Sequence, residues 1–225
     1  MLNEELIFKT EDKPEKAVVF LHGYGANGKD LLSMAPIMSK TLHKTVFYAP
    51  DAPYAIGYNA YKWFDIDGLE SASVFERFDY LERLTKLAKQ SLDIVDKILE
   101  EISLTYGIDY KNISVVGFSQ GALITLLEGL TTKKKIASLG ACSSVPLILS
   151  DALKIGDILN TPPVFLSHGT ADDIVPFIGL EMTVNTLKNL NISVTQHTVS
   201  GMGHGIDGTT LQALTEFLNR TLCQQ

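Results

Sequence analysis

Ser119 sits at the centre of Gly117-Phe118-Ser119-Gln120-Gly121, a Gly-x-Ser-x-Gly spacing that suits a nucleophile held on a tight turn. A serine hydroxyl is a weak nucleophile at neutral pH. It needs a neighbouring base, and an imidazole base needs a carboxylate to fix its tautomer and stabilise its cation. Further along the chain stand the adjacent acids Asp172 and Asp173, and then His204, flanked by Gly203 and Gly205. Serine, acid and histidine together can carry out acyl transfer through a covalent intermediate. Of the five histidines, His43 and His197 read as surface or strand positions, whereas His22 and His168 each precede a glycine at a strand end and read as holders of loop backbone. His204 is therefore the candidate base. At this point either Asp172 or Asp173 can supply the acid, because adjacent acids also cap turns.

Such a triad works only if the chain delivers its members to one edge. Ile113, Val115 and Val116 form a β-branched run before Ser119, and Ala122 to Leu130 is rich in helix formers, so the motif reads as strand, turn, helix. Lys16 to Leu21 reads as a central strand and ends in His22-Gly23-Tyr24-Gly25-Ala26-Asn27-Gly28, whose glycines let the backbone expose its amides. A phosphate cradle is excluded, because no Gly-Lys-[Ser/Thr] follows and there is no later acidic ribose anchor. Stabilising a tetrahedral oxyanion takes two aligned amides. Gln120, directly after the nucleophile, is one candidate, and the glycine loop offers the other, with Tyr24 as its leading residue.

Further strands are expected at Thr45 to Ala49, Ile136 to Cys142, Pro162 to Ser167 and Ser193 to Val199. Helices are expected at Asp30 to Lys40, Ile178 to Leu190 and Thr209 to Leu222, with one long amphipathic helix over Phe78 to Tyr106. Strands alternating with helices imply an α/β protein with a mainly parallel sheet and helices on both faces. Ser119, the two acids and His204 then all fall in loops that follow strands, the edge where open α/β sheets place their sites. Between Tyr54 and Phe78 lie seven aromatic residues with no sustained period, which reads as a packed excursion or as a lid over an apolar site.

The 225 residues are 45% apolar and 20% charged, enough to build a large core in a single domain spanning 1–225. A net charge of −7 argues against a nucleic-acid partner, and Lys133 to Lys135 is too short a basic cluster to reverse that. No run approaches the ~18 apolar residues of a membrane span, and Met1 to Asp12 does not read as a signal peptide, so a cytoplasmic protein without stable membrane insertion is expected. Two cysteines, Cys142 and Cys223, make neither a disulfide framework nor a metal-ligand spacing. An apolar patch beside the excursion would serve a homodimer as well as a substrate.

Taken together, Phe20 to Asn27, Trp63-Phe64-Asp65-Ile66-Asp67-Gly68-Leu69, Gly117 to Gly121, His168-Gly169-Thr170-Ala171-Asp172 and Gly201-Met202-Gly203-His204 resemble the phospholipase/carboxylesterase family, which includes the acyl-protein thioesterases. The resemblance runs from about Ala17 to the C-terminus, with the motifs in family order. It implies an α/β-hydrolase fold and a serine hydrolase that needs no metal or cofactor. It also implies Asp172 as the triad acid, the Tyr24 amide as part of the oxyanion hole, and an acyl channel beside the Trp63 segment. On that basis Trp63, Leu69 and Ile174 are the expected acyl wall, and 54–78 is read as lid-like. The chain departs from the thioesterase pattern where Ala122 follows Gly121 and where Ser143-Ser144-Val145-Pro146 stands in place of an aromatic and Leu-Pro.

The expected activity is hydrolysis of short to medium carboxylic esters, a small-molecule or acylated substrate. A thioesterase or lysophospholipase acting on longer chains is the alternative. A dienelactone-hydrolase type is disfavoured by the serine nucleophile, and a silent binding scaffold by the intact set of triad residues.

Overall fold

The computed structural model describes residues 2–66 and 77–223. Seven strands form one sheet, in the spatial order β1 (Ile7–Lys9), β3 (Thr45–Tyr48), β2 (Lys16–Leu21), β6 (Ile113–Phe118), β7 (Ser138–Cys142), β8 (Val164–Gly169) and β9 (Val194–Val199). All neighbours pair in parallel except β1, which runs antiparallel to β3 at the edge. This is the expected α/β architecture. The short β1 escaped sequence reading because three residues carry too little pattern.

Alternation along the strands divides the core. Ala17, Val19 and Leu21 of β2, with Ile113 and Val115 of β6, face one apolar layer, and Val18, Phe20 and Val116 face the other. The first layer is closed by α3 (Phe78–Lys89), α4 (Leu92–Tyr106), α5 (Gln120–Thr131) and α6 (Ile178–Asn189). The second is closed by α1 (Gly28–Leu32), α2 (Ala35–Met38) and α7 (Gly208–Cys223), which contributes Leu214, Phe217 and Leu218. Gln120 to Leu130 is buried without interruption, so α5 is a core helix covered on all sides.

Two expected helices are each divided in two. Pro36, near the start of α2, has no amide hydrogen to continue a helix from α1, which ends at Leu32. The 78–106 helix breaks at Gln90 and Ser91. Their backbone angles stay near helical, and their amides donate three residues back, to Leu87 and Ala88. The apolar period therefore continues across a real junction, and the sequence conceals it. The break is held by the buried Ser91, whose hydroxyl donates to the Trp63 carbonyl at 2.9 Å.

The aromatic excursion is also more regular than its sequence suggests. Tyr54–Gly57 (β4) and Ala60–Lys62 (β5) pair as an antiparallel hairpin, with Asn59 in the left-handed region at the turn. Residues 67–76, including Leu69, lie outside the described residues. No helix among the described residues is long and apolar enough to cross a membrane.

Candidate active site

The end of β6 and the start of α5 meet at Ser119, whose backbone angles, φ 53° and ψ −115°, lie where non-glycine residues are strained. Holding a serine there costs on the order of 1–3 kcal/mol, supplied by the surrounding core. The glycines two before and two after it are steric requirements. A Cβ on Gly117 would lie 2.2 Å from the Gly121 carbonyl oxygen, and one on Gly121 would lie 2.0 Å from the Leu21 carbonyl oxygen. The Ser119 amide donates to the Cys142 carbonyl at 2.9 Å, tying the turn to the end of β7.

His204 comes to this turn from the loop after β9. That loop is joined to the loop after β8: the Gly201 amide donates to the Thr170 hydroxyl, and the Ala171 amide donates to the Met202 carbonyl. Gly169 permits the approach, since a Cβ there would lie 2.1 Å from the Met202 carbonyl oxygen. The two loops thus form one unit that carries both His204 and Asp172.

A continuous hydrogen-bonded chain results. His204 Nε2 lies 2.9 Å from Ser119 Oγ, and His204 Nδ1 lies 2.8 Å from Asp172 Oδ2. A carboxylate can only accept, so Nδ1 carries the proton and neutral Nε2 is left to accept from the serine hydroxyl. The other Asp172 oxygen accepts from the amides of Ile174 and Val175 at 3.0 and 2.9 Å. Asp172 is buried, whereas Asp173 is exposed. Burial pushes the Asp172 carboxyl up, but hydrogen bonds from His168, His204 and the Val175 amide outweigh it and hold the group well below the usual carboxylate range. Asp172 therefore stays an anion.

His168 was read as a holder of loop backbone, and that is half its geometry. Its buried Nε2 lies 2.8 Å from the Val175 carbonyl and 3.1 Å from Asp172 Oδ2. Two acceptors face one nitrogen, so Nε2 carries the proton and donates to both. His22 matches its loop reading: Nε2 accepts from the Ala52 amide, and Nδ1 lies 2.7 Å from the Gly23 carbonyl. Burial lowers its pKa and favours the neutral ring.

Beside the serine lies a cavity of about 170 Å³, bordered by Tyr24, Gln120 and His204 and walled by Phe64, Ile66, Leu84, Val145 and Ile174. Gln120 opens α5, where the first amides of a helix lack partners within it. Tyr24 stands on the facing loop, fixed by hydrogen bonds between Gly25 N and Tyr61 O and between Tyr61 N and Ala26 O. The hairpin strand β5 thus anchors the glycine loop. Ile174 lies on the cavity wall. Trp63 does not: it is 1% exposed and packed behind the wall, and Phe64 and Ile66 face the cavity in its place.

Trp63 is a structural knot. Its indole Nε1 donates to the His22 carbonyl and its amide donates to Gln120 Oε1, while Gln120 Nε2 donates to the Phe64 carbonyl, each at 2.9 Å. The glycine loop, the elbow and the excursion are therefore tied together through one glutamine side chain, which sequence reading had used only for its amide. Residue type alone could not reveal this, because a glutamine after a nucleophile is read as a helix start.

Comparison with known proteins gives the same outline. A family model described as Phospholipase/Carboxylesterase matches residues 2–222. "Acyl-protein thioesterase 1" of Neurospora crassa is 30% identical, covering 91% of this chain and 86% of its own length. The protein of that name from Mycosarcoma maydis is 32% identical, with 95% and 94% covered. Among solved structures, esterase PE8 superposes with a TM-score of 0.84 at 31% identity, covering 96% of this chain and 97% of that one. With a family pattern matched over nearly its whole length on a seven-stranded α/β-hydrolase sheet, this chain belongs to the phospholipase/carboxylesterase family and is a hydrolytic enzyme.

Proposed function

We propose that the protein cleaves carboxylic esters of short to medium acyl chains through an acyl-enzyme on Ser119. The observation that carries this reading is the unbroken chain from Ser119 Oγ through His204 to Asp172. His204 takes the serine proton as Oγ attacks the acyl carbonyl, and the resulting oxyanion accepts hydrogen bonds from the Gln120 and Tyr24 amides. Collapse of the tetrahedral intermediate breaks the bond to the leaving group, which receives the proton from His204. Water, deprotonated by the same imidazole, then releases the acid and restores the serine. Asp172 holds the imidazole in the working tautomer throughout.

The size of the cavity supports the shorter acyl chains. At about 170 Å³ it lies below the ~300 Å³ at the small end of ligand pockets, which suits a short or medium chain. Relatives that bear the name acyl-protein thioesterase 1 favour a second reading, a thioester or lysophospholipid substrate with a longer chain. A p-nitrophenyl ester series from acetate to palmitate, run on wild type and Ser119→Ala, separates them. We expect an optimum at or below octanoate and a loss above about 10⁴-fold on mutation. An optimum at palmitate selects the thioesterase reading, and equal rates in both proteins exclude a Ser119 mechanism.

A further inference from the structure

Phe118 and the Ser119-facing ring of His204 divide two depressions. One is the acyl-sized cavity. The other, of about 410 Å³, is lined by residues of α1 and of the glycine loop before it, by Phe118 and by the His204-Gly205-Ile206 loop. Its floor is apolar: Leu31 and Met34 are buried, and Phe118 and Ile206 close the sides. Its rim carries the exposed Asp30 and Ser33, which are bonded to their own loop: Asp30 Oδ2 accepts from the Asn27 amide, and Ser33 Oγ donates to the Asp30 carbonyl. Among the described residues no lysine or arginine lines it.

Resting on the serine-hydrolase reading above, we propose that this second cleft binds the leaving group, and that it takes an uncharged alcohol or thiol with an apolar body in preference to an anionic one. The tetrahedral intermediate has fixed directions. Its oxyanion must point at the amides of Tyr24 and Gln120, both of which border only the first cavity. Its departing oxygen or sulfur must lie within reach of the proton on His204 Nε2. The substituent on that atom therefore lies beside His204, one of the four residues (Gly23, Ala26, Phe118 and His204) that border both depressions, while Ser119 borders the first alone. The acyl chain occupies the cavity next to Ser119. The Asp30 carboxylate at the rim of the second cleft repels a leaving group of like charge, and no lysine or arginine among the described residues lining the cleft offsets it.

The test uses two ratios of kcat/KM, benzyl over methyl butyrate for the leaving group and methyl octanoate over methyl butyrate for the acyl chain. Ser33 lies at the exposed end of α1 in ordinary right-handed backbone, so Ser33→Trp can fill the cleft without strain. We expect Ser33→Trp to lower the first ratio about tenfold and Ile174→Trp, on the first cavity, to lower the second by a similar factor. 4-Carboxybenzyl butyrate should react more slowly than benzyl butyrate, and Asp30→Asn should narrow that gap about twofold to fivefold, less so at high salt. The proposal is overturned if Ile174→Trp lowers the benzyl ratio while Ser33→Trp does not, or if Ser33→Trp lowers both ratios equally. Absence of any Ser119-dependent turnover in wild type overturns the serine-hydrolase reading itself, a different result from turnover with the wrong selectivity.

Discussion

Both ends of helix α5 bury polar side chains, and they treat them differently. At the N-terminal end the Gln120 amide side chain is satisfied on both atoms by the Trp63 and Phe64 backbone, and Ser119 is engaged by His204. At the C-terminal end Glu128 is 2% exposed, and its Oε1 has no hydrogen-bond partner. Burial pushes its carboxyl up to about 7, with the nearby Asp96 carboxylate adding to the effect, while Thr132 and Lys134 pull it down. Lys134 cannot fully compensate because it is paired with Asp96. One helix thus carries a site whose polar atoms are all positioned and, at its other end, a group whose charge the fold tolerates poorly. On the proposed function the first is geometry arranged for chemistry, and the second is burial whose charge costs stability.

The sharpest way to break this contrast is to alter both ends and compare rates. Ser119→Ala should cost more than about 10⁴-fold in kcat, while Glu128→Gln should leave ester hydrolysis within about twofold. A large loss in the second would mean that the far end takes part in catalysis. Next in size, Asp172→Asn should lower kcat about 10³–10⁴-fold by removing the acceptor that sets the His204 tautomer, with Asp173→Asn near wild type. The reverse pattern would move the acid to the exposed neighbour.

Gln120→Ala tests the knot. It leaves the Trp63 amide and the Phe64 carbonyl without partners, and urea unfolding should show a loss of about 2–4 kcal/mol. A loss below about 1 kcal/mol would show that the tie between elbow and excursion is dispensable.

The smallest effect is the pH dependence at Glu128. A carboxyl whose folded pKa lies above its unfolded value stabilises the fold while protonated, so its contribution falls as pH rises from about 4.5 to about 7 and is constant above. Glu128→Gln should remove that slope and gain up to on the order of 2 kcal/mol at pH 8 relative to wild type. Denaturant midpoints at pH 5 and pH 8 check it. Parallel shifts at the two values would contradict the assignment.

What was legible in the sequence follows the same division. The strands β2, β6 and β8 could be read because a buried parallel strand is a continuous apolar run bounded by glycine or proline. Ser119 and His204 stood out through the glycines around them; close contact demands those at 117 and 121, whereas a Cβ on Gly203 or Gly205 would meet nothing closer than 4.0 Å. The break at Ser91 and the hairpin at 54–62 were hidden. In the first, near-helical angles preserve the apolar period across the junction. In the second, the strands are short, and β4 is exposed along its length, so it shows no inward and outward alternation. The family resemblance places the Trp63 segment beside an acyl channel but does not say which of its side chains faces it; the indole hydrogen bond to the His22 carbonyl turns Trp63 into the scaffold. His168 was undervalued because a histidine before a glycine at a strand end does not announce the carboxylate four residues on.

The central claim is that Ser119 is the activated nucleophile, and covalent labelling tests it most directly. Wild type treated with a fluorophosphonate should gain the mass of one phosphonyl group, found on the peptide containing Ser119 after proteolysis, with His204→Ala labelled far more slowly. No adduct, or an adduct on another serine at the same rate, would contradict the account.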